Sequence, residues 1–423
     1  MKDDLLARHR AVLPSWISPL YSAPVELVSG SGCRVTDADG RTYLDFFGGV
    51  LTNMLGYDIA EISDAVRAQL GSGIVHTSTL YLIRKQVELA EKIAGLSGIE
   101  NAKVFLANSG SEANDTALML ATQFRRSNQI LAMRNSYHGR SFANLAVTGN
   151  RGWSATSLTP VSVSYLHSGD RLRGVFAGLG DRDYINRAVA DLREVLATTT
   201  AGDVACLIAE PIQGVGGFVA PPDGYFKAVK EVLDEHGILW VSDEVQTGWG
   251  RTGSHFWGYQ AHDVVPDMIT FAKGVGNGFA LGGVIARADV MDCFNATSFN
   301  TFGGNPVSAT AGAAVIDYLL SHDLQANAAH VGAILHAGLR DIDSPAIAEV
   351  RGKGLMLAIE FVKPGTLEPD PAETLRVVEA CKANGLLVGK GGLYGNVIRM
   401  GPPLTLTEAE AKEGLEILSC AIL

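Results

Sequence analysis

A chain of 423 residues exceeds what one hydrophobic core ordinarily supports, so more than one structural unit is expected. An apolar fraction of 47%, a charged fraction of 19% and 48 glycines exclude a disordered or fibrous chain and suit a globular α/β enzyme with many tight turns. The formal charge of −11, with no cluster of Lys and Arg, argues against a nucleic-acid partner, so an anionic substrate has to be met by a local cation.

The amino-terminal stretch, Met1 to Arg10, is charged throughout and lacks the apolar core of a signal peptide. No run reaches transmembrane length, so no membrane partner is expected and the expected location is the cytoplasm. Five cysteines (Cys33, Cys206, Cys293, Cys381 and Cys420) are scattered without CxxC or CxxH spacing. That pattern predicts free thiols in a reducing compartment, with neither a disulfide framework nor a metal site.

Residues 1–24 predict a short helix and an arm that need a partner surface. Val35 to Asp45 alternates apolar and polar residues around Asp39-Gly40, a strong hairpin signal. Phe46-Phe47-Gly48-Gly49-Val50-Leu51 follows, and helical periodicity runs over 60–70 and 84–96. Val104 to Ala107 reads as a strand that enters Asn108-Ser109-Gly110-Ser111-Glu112-Ala113-Asn114, a small-residue turn opening a helix. The free N–H groups and positive dipole end at such a helix start can hold a phosphate, with Gly110 and Ser111 in that role. An ordinary N-cap followed by Glu reads the same way.

Gln129 to Met133 predicts another strand, leading to Ser136-Tyr137-His138-Gly139, where an aromatic can stack on a flat heterocycle. Residues 151–180 are expected to form a long surface excursion and 181–198 a helix. Three apolar runs then end in groups able to handle a proton: 204–209 stops at Glu210, 237–242 at Asp243 and 267–272 at Lys273. Short β-rich runs of this kind read as buried strands, whose carboxyl ends carry the chemistry in parallel sheets. A lone lysine or aspartate is usually a solvated charge. An amine and a carboxylate that each close a strand suit pyridoxal phosphate, the amine forming a Schiff base and the carboxylate keeping the pyridine nitrogen protonated.

Asn300 to Asn305 precedes Pro306 and an alanine-rich helix over 307–320. A helix over 330–341, strands over 347–350 and 355–361 around Arg351-Gly352-Lys353-Gly354, and a helix over 371–385 come next. Arg399 then stands between apolar residues and a Pro402-Pro403 turn, before a helix from Thr407 to the end. A guanidinium so placed matches a substrate carboxylate, or else a structural ion pair.

Ser242-Asp243-Glu244-Val245-Gln246-Thr247-Gly248, Gly250-Arg251-Thr252-Gly253 and Ala272-Lys273-Gly274 resemble the class III (omega) aminotransferases, a branch of the fold type I pyridoxal phosphate enzymes. The resemblance runs from about residue 20 to the end with its motifs in order. Gly253 to Gly258, Gln213-Gly214-Val215 and Arg351 to Gly354 look most like the alanine–glyoxylate and beta-alanine–pyruvate branch. It implies a large α/β domain over 60–320, with a mainly parallel seven-stranded-type sheet flanked by helices, and a discontinuous small α/β domain from 1–59 and 321–423. Gly56-Tyr57-Asp58-Ile59-Ala60 departs from the Gly-His-x-His-Pro run usual in the family.

The resemblance also implies roles. Lys273 and Asp243 are catalytic, and Ser109, Gly110 and Ser111 form the phosphate cup. Tyr137 and Val245 cover opposite faces of the cofactor ring, His138 supports them, and Glu210 and Gln246 lie toward its phenolic edge. Thr301 reaches the cofactor phosphate of the neighbouring subunit, which implies a homodimer with composite sites. Arg399 takes the substrate carboxylate. The implied reaction moves an amino group from an amine or omega-amino acid to a 2-oxo acid by ping-pong transfer. Pyruvate or glyoxylate is favoured, because Val215 stands where members using 2-oxoglutarate often carry a glutamate. The same branch contains phospholyases, which eliminate phosphate from an amino-alcohol phosphate such as phosphoethanolamine; Arg399, Lys390 and Arg140 are the cations available for that alternative.

Overall fold

Asp39 and Gly40 turn the chain as their sequence predicts, with Gly40 at φ +83°, a conformation open to glycine at little cost. The turn joins β2 (Arg34–Asp37) to β3 (Thr42–Asp45), and β1 (Leu27–Ser31) pairs antiparallel with β2. The computed structural model describes residues 4–423, so the first three residues of the charged amino-terminal stretch lie outside the described residues. The predicted amino-terminal helix spans Leu5–Val12 and buries no residue, and Leu13, Trp16 and Ile17 after it are exposed.

A seven-stranded sheet forms the centre. It contains β4 (Ala102–Ala107), β5 (Gln129–Met133), β6 (Ser162–Leu166), β7 (Cys206–Ala209), β8 (Leu239–Asp243), β9 (Met268–Phe271) and β10 (Gly282–Arg287), in the order β4-β10-β9-β8-β7-β5-β6. Only β10 runs against its neighbours; the other pairs are parallel. Alternate residues of the central strands feed two different cores. Leu207, Trp240 and Ile269 pack on one side of the sheet, whereas Cys206, Ile208, Val241 and Met268 pack on the other. Both faces are covered, which is why these strands are continuous apolar runs without polar alternation. Each fully buried Leu, Ile or Val contributes about 1.5–3 kcal/mol.

β6 corrects the sequence reading, which placed a surface excursion over 151–180. Val161, Val163 and Tyr165 pack against the core at period two, and the intervening Ser162 and Ser164 weaken the apolar signal of what is an edge strand. The other predicted elements lie within a few residues of their expected bounds, including Arg84–Leu96 and Asp181–Thr198. The helix expected from residue 330 starts earlier, at Leu324, since Leu324, Ala328, Val331, Leu335 and Leu339 bury one continuous stripe. The last helix, Glu408–Ile422, is closed by a reciprocal capping box between Thr407 and Glu410.

The remaining strands come from the carboxyl-terminal part of the chain. β11 (Ile347–Lys353), β12 (Met356–Phe361), β14 (Gly389–Gly391) and β15 (Val397–Met400) form an antiparallel sheet in the order β11-β12-β15-β14. β13 (Leu386–Leu387) instead runs parallel to β3, so the first sheet draws on both ends of the chain. Among the described residues no helix is long and apolar enough to cross a membrane.

Candidate active site

Adjacent strands deliver the polar ends to one edge of the central sheet. Ala209 of β7 lies opposite Ser242 of β8, and Asp243 lies opposite Thr270 of β9, so Glu210, Asp243 and Lys273 emerge side by side. Lys273 opens a short 3-10 turn, Lys273–Gly276, and holds φ +50°. A left-handed lysine costs about 1–3 kcal/mol, so neighbouring contacts must hold it there. Gly274 supplies one, packed so closely on Met54 that an added Cβ would sit 2.7 Å from the sulfur. Asn277 supplies two more, accepting the Leu55 N–H at 2.8 Å and donating to the Gly56 carbonyl at 3.0 Å.

Asp243 is buried yet well supplied with donors. Its Oδ2 accepts from Asn114 Nδ2 at 2.8 Å and from His138 Nδ1 at 2.7 Å, and its Oδ1 accepts from the Val245 N–H at 3.1 Å. Burial pushes the carboxyl upward, but these hydrogen bonds and the charge of His138 outweigh it, holding Asp243 below the ordinary carboxylate range. Glu210 has less help. Its two oxygens accept the N–H groups of Tyr137 at 3.0 Å and Gly214 at 2.7 Å, while burial, with Asp243 adding to it, raises its pKa to about 7. Enclosure pulls the Lys273 ammonium down to about 8, against the attraction of Asp243 and Glu210.

The helix Gly110–Arg125 starts beside these groups. Ser109 is its cap, accepting the Glu112 N–H at 3.2 Å, so the capping reading of this turn is satisfied. The Gly110 and Ser111 N–H groups ahead of Glu112 have no carbonyl partner within the helix and remain available to an anion. Gly110 packs on Val245, and Ser111 Oγ accepts the Arg140 N–H at 3.1 Å.

Eleven of the twelve residues singled out from the sequence line one cavity of about 600 Å³; Thr301 does not, and lies exposed. Tyr137 faces into the cavity with Trp153 edge-on to its ring at 5.4 Å. Arg399 is buried, with its guanidinium near the Phe47 and Phe218 rings at 5.5 and 5.6 Å. It donates to the carbonyl oxygens of Gly214 at 3.0 Å and Lys390 at 3.0 and 3.1 Å. No carboxylate forms a salt bridge with it among the described residues, which removes the structural ion pair as its explanation. Burial lowers its pKa to about 10, and it stays a cation at neutral pH. Lys390 also lines the cavity, whereas Arg140 lies outside it with its guanidinium 5.1 Å from the Trp16 ring.

The donor set fits pyridoxal phosphate. A helix start without a basic side chain suits its phosphate, an ionised carboxylate suits a protonated ring nitrogen, and a lysine of lowered pKa suits its aldehyde. Gln246 Oε1 is buried in the same cavity without a hydrogen-bond partner, a polar atom left for a bound group to satisfy. Among the described residues no cluster of His, Cys, Asp and Glu is placed to hold a metal.

Sequence reasoning missed Asn114, Trp153, Phe218 and the contact of Phe47 with Arg399. Asn114 was readable, since it lies four residues after Gly110 on the same helix face. The aromatics around Arg399 come from segments distant in sequence and carry no local signal.

The family model for class-III aminotransferases matches residues 19–422. The chain is 38% identical over 413 residues to alanine–glyoxylate aminotransferase 2 homolog 2, mitochondrial, of Arabidopsis thaliana, covering 97% of this chain and 85% of that protein. Among solved structures, an (S)-enantioselective omega-transaminase from Thermomicrobium roseum superposes with a TM-score of 0.91 at 32% identity, covering 99% of this chain and 97% of the other. A phospholyase from Arthrobacter in complex with phosphoethanolamine superposes with a TM-score of 0.89 at 35% identity, covering 99% of both.

Proposed function

The chain belongs to the class III aminotransferases, as a fold type I, pyridoxal-phosphate-dependent transaminase, and from that premise we propose that it moves an amino group from an amine or omega-amino acid to pyruvate or glyoxylate. The observation that carries the acceptor is the state of Arg399. Among the described residues this buried cation forms no salt bridge, and the turn beside it presents Val215, not an acid, to the cavity. A short 2-oxo acid needs one such cation and no gate that moves aside for a second carboxylate.

When bound, pyridoxal phosphate supplies an aldehyde that takes up amines and a protonated ring that accepts the electron pair left on carbon after proton loss. In this reading Ser109, Gly110 and Ser111 hold the phosphate, Tyr137 and Val245 flank the ring, His138 supports Asp243, and Glu210 and Gln246 serve the ring's oxygen edge. Asp243 keeps a fixed negative charge for the ring nitrogen. Lys273 Nζ, with its pKa near 8, is present in both protonation states at working pH, so it can attack as an amine and carry a proton to and from the reacting carbon. Arg399 orients the carboxylate of the acceptor. The chemistry is tested by half-reactions. Enzyme converted with an amine donor is challenged separately with pyruvate, glyoxylate and 2-oxoglutarate, and the cofactor absorbance is followed. Pyruvate or glyoxylate restores the starting spectrum first; restoration by 2-oxoglutarate alone would defeat the acceptor assignment.

A second reading has a specific observation behind it. Lys390 shares the cavity with Arg399, two cations that suit a phosphate dianion, and the Arthrobacter structure that this chain resembles is a phospholyase. Release of inorganic phosphate from phosphoethanolamine, without amino transfer, would decide for it.

The proposal includes a homodimer, supported by the exposed Leu80, Tyr81, Leu82 and Phe302 and by the solvent exposure of Thr301, which in this reading reaches the partner's cofactor phosphate. It also includes a reducing, cytoplasmic location, supported by five unpaired thiols. Sedimentation of the holoenzyme and fractionation of the source cells test these two parts.

A further inference from the structure

Arg351 belongs to the Arg351-Gly352-Lys353-Gly354 motif and does not line the active-site cavity. Its strand position nevertheless ties it to Arg399. Arg351 of β11 lies opposite Ala358 of β12, and Ala358 lies opposite Arg399 of β15. The two arginines therefore rise from one face of the sheet, two strand spacings or about 10 Å apart, with only an alanine between them.

Both reach the same turn. Gln213 and Val219 pair across its base, where the Gln213 N–H donates to the Val219 carbonyl at 2.8 Å. Gly214, Val215, Gly216 and Gly217 form the turn, and Phe218 completes the return to Val219. Arg399 donates to the Gly214 carbonyl at 3.0 Å, and Arg351 Nε donates to the Gly217 carbonyl at 2.8 Å. One arginine thus holds each end of the turn. Three glycines in four residues give the turn little stiffness of its own. Two of them are required by the structure: an added Cβ on Gly216 would sit 2.7 Å from the Asn135 carbonyl oxygen, and Gly217 holds φ +102°, where glycine is favoured.

Arg351 is itself fixed. Its Nη1 donates to Glu349 at 2.7 Å and to the buried Glu360 at 2.6 Å, and Glu360 also takes Arg173 and Asn396 Nδ2. We propose that Arg351 is a positioning residue for the carboxylate site, holding the Gly214–Gly217 turn so that the Gly214 carbonyl orients Arg399 and Val215 stays against the cavity. The inference rests on the reading of Arg399 as the substrate-carboxylate anchor.

The test compares holoenzyme of Arg351→Lys, Glu349→Gln and Arg399→Ala with wild type, using pyruvate as acceptor, or glyoxylate if the half-reactions select it. Lysine keeps the charge beside Glu349 and Glu360 but loses the fork that reaches the carboxylates and the Gly217 carbonyl together. The expected result for Arg351→Lys is a KM for the 2-oxo acid raised roughly tenfold with kcat within about twofold, the pattern of lost substrate binding. Amide hydrogen exchange at Gly216 and Gly217 should speed up in the same protein. Glu349→Gln should move both readouts in the same direction by less, and it serves if Arg351→Lys does not fold. Unchanged KM and exchange, or a fall in kcat parallel to lost thermal stability, would overturn the inference. If Arg399→Ala raises KM while the Arg351 and Glu349 variants match wild type, the positioning role fails and the anchor reading survives. If Arg399→Ala leaves KM unchanged, the anchor reading fails and takes this inference with it.

Discussion

The imidazole Nδ1 of His138 lies 2.7 Å from Asp243 Oδ2, with both side chains buried. That contact lets a carboxyl inside the protein remain ionised, because burial alone would raise its pKa. His138→Phe keeps a ring in place and removes the donor. Asp243 should then titrate at higher pH, and below its new pKa the ionised fraction falls about tenfold for every pH unit. The expected result is an acid limb of kcat moved toward neutrality, with a loss greater at pH 6 than at pH 8. A loss equal at both values would mean that the histidine only fills space.

Lys273 predicts a different pH dependence. Its amine titrates near 8, whereas an ordinary lysine titrates at about 10.4. Covalent capture of pyridoxal phosphate by the cofactor-free protein needs the neutral amine, so its rate should climb as pH rises through 8 and level off above. Borohydride trapping at graded pH, followed by peptide mapping, gives both rate and location. Lys273→Ala should carry no label in that peptide. A rate still climbing at pH 10, or a label elsewhere, would contradict the assignment.

Glu210 links the site to stability. Its folded pKa of about 7 lies above the ordinary 4.5 because of burial. Between those values the folded chain binds more protons than the unfolded one, so this group's contribution is fully present below about pH 4.5 and is lost as pH rises through 7. Glu210→Gln cannot ionise and lacks that slope. In cofactor-free protein the melting temperature of Glu210→Gln relative to wild type should therefore improve between pH 5 and pH 8. A constant difference would show that Glu210 does not titrate in this range.

Much of this site is legible in the chain because the groups that define it stand at strand ends. Glu210, Asp243 and Lys273 each follow an apolar run, and β7, β8 and β9 are consecutive neighbours in the sheet, so sequence order and spatial order agree. Ser109 to Ser111 are legible for a similar reason, as a turn between a strand and a helix. What local pattern cannot carry is pairing between distant segments. His138 meets Asp243 because β5 and β8 lie two places apart in one sheet, and Phe47 and Phe218 surround Arg399 because separate sheets dock. β6 escapes a reading of local pattern because alternating serines mask an edge strand. Thr301 stays outside the cavity of its own chain, so its assigned role depends on a second copy.

Asn277 offers a test of how the lysine is held. Its side chain behaves as a peptide group, accepting from the Leu55 N–H and donating to the Gly56 carbonyl, both in a buried segment. It also holds φ +43°, where asparagine is tolerated better than most residues. Asn277→Gly keeps the backbone conformation accessible and loses two hydrogen bonds, a cost of about 2 kcal/mol. Asn277→Ala adds the left-handed penalty, about 1 kcal/mol more. The midpoint of urea unfolding of cofactor-free protein should fall in the order wild type, Gly, Ala. The bonds tie the Lys273 turn to the segment that follows Phe47 and Val50, so both variants should also slow covalent capture at a fixed pH above 8, where the amine is already neutral. A stable variant with slow capture would show that the tie orients the lysine. Wild-type capture in both variants would confine Asn277 to stability.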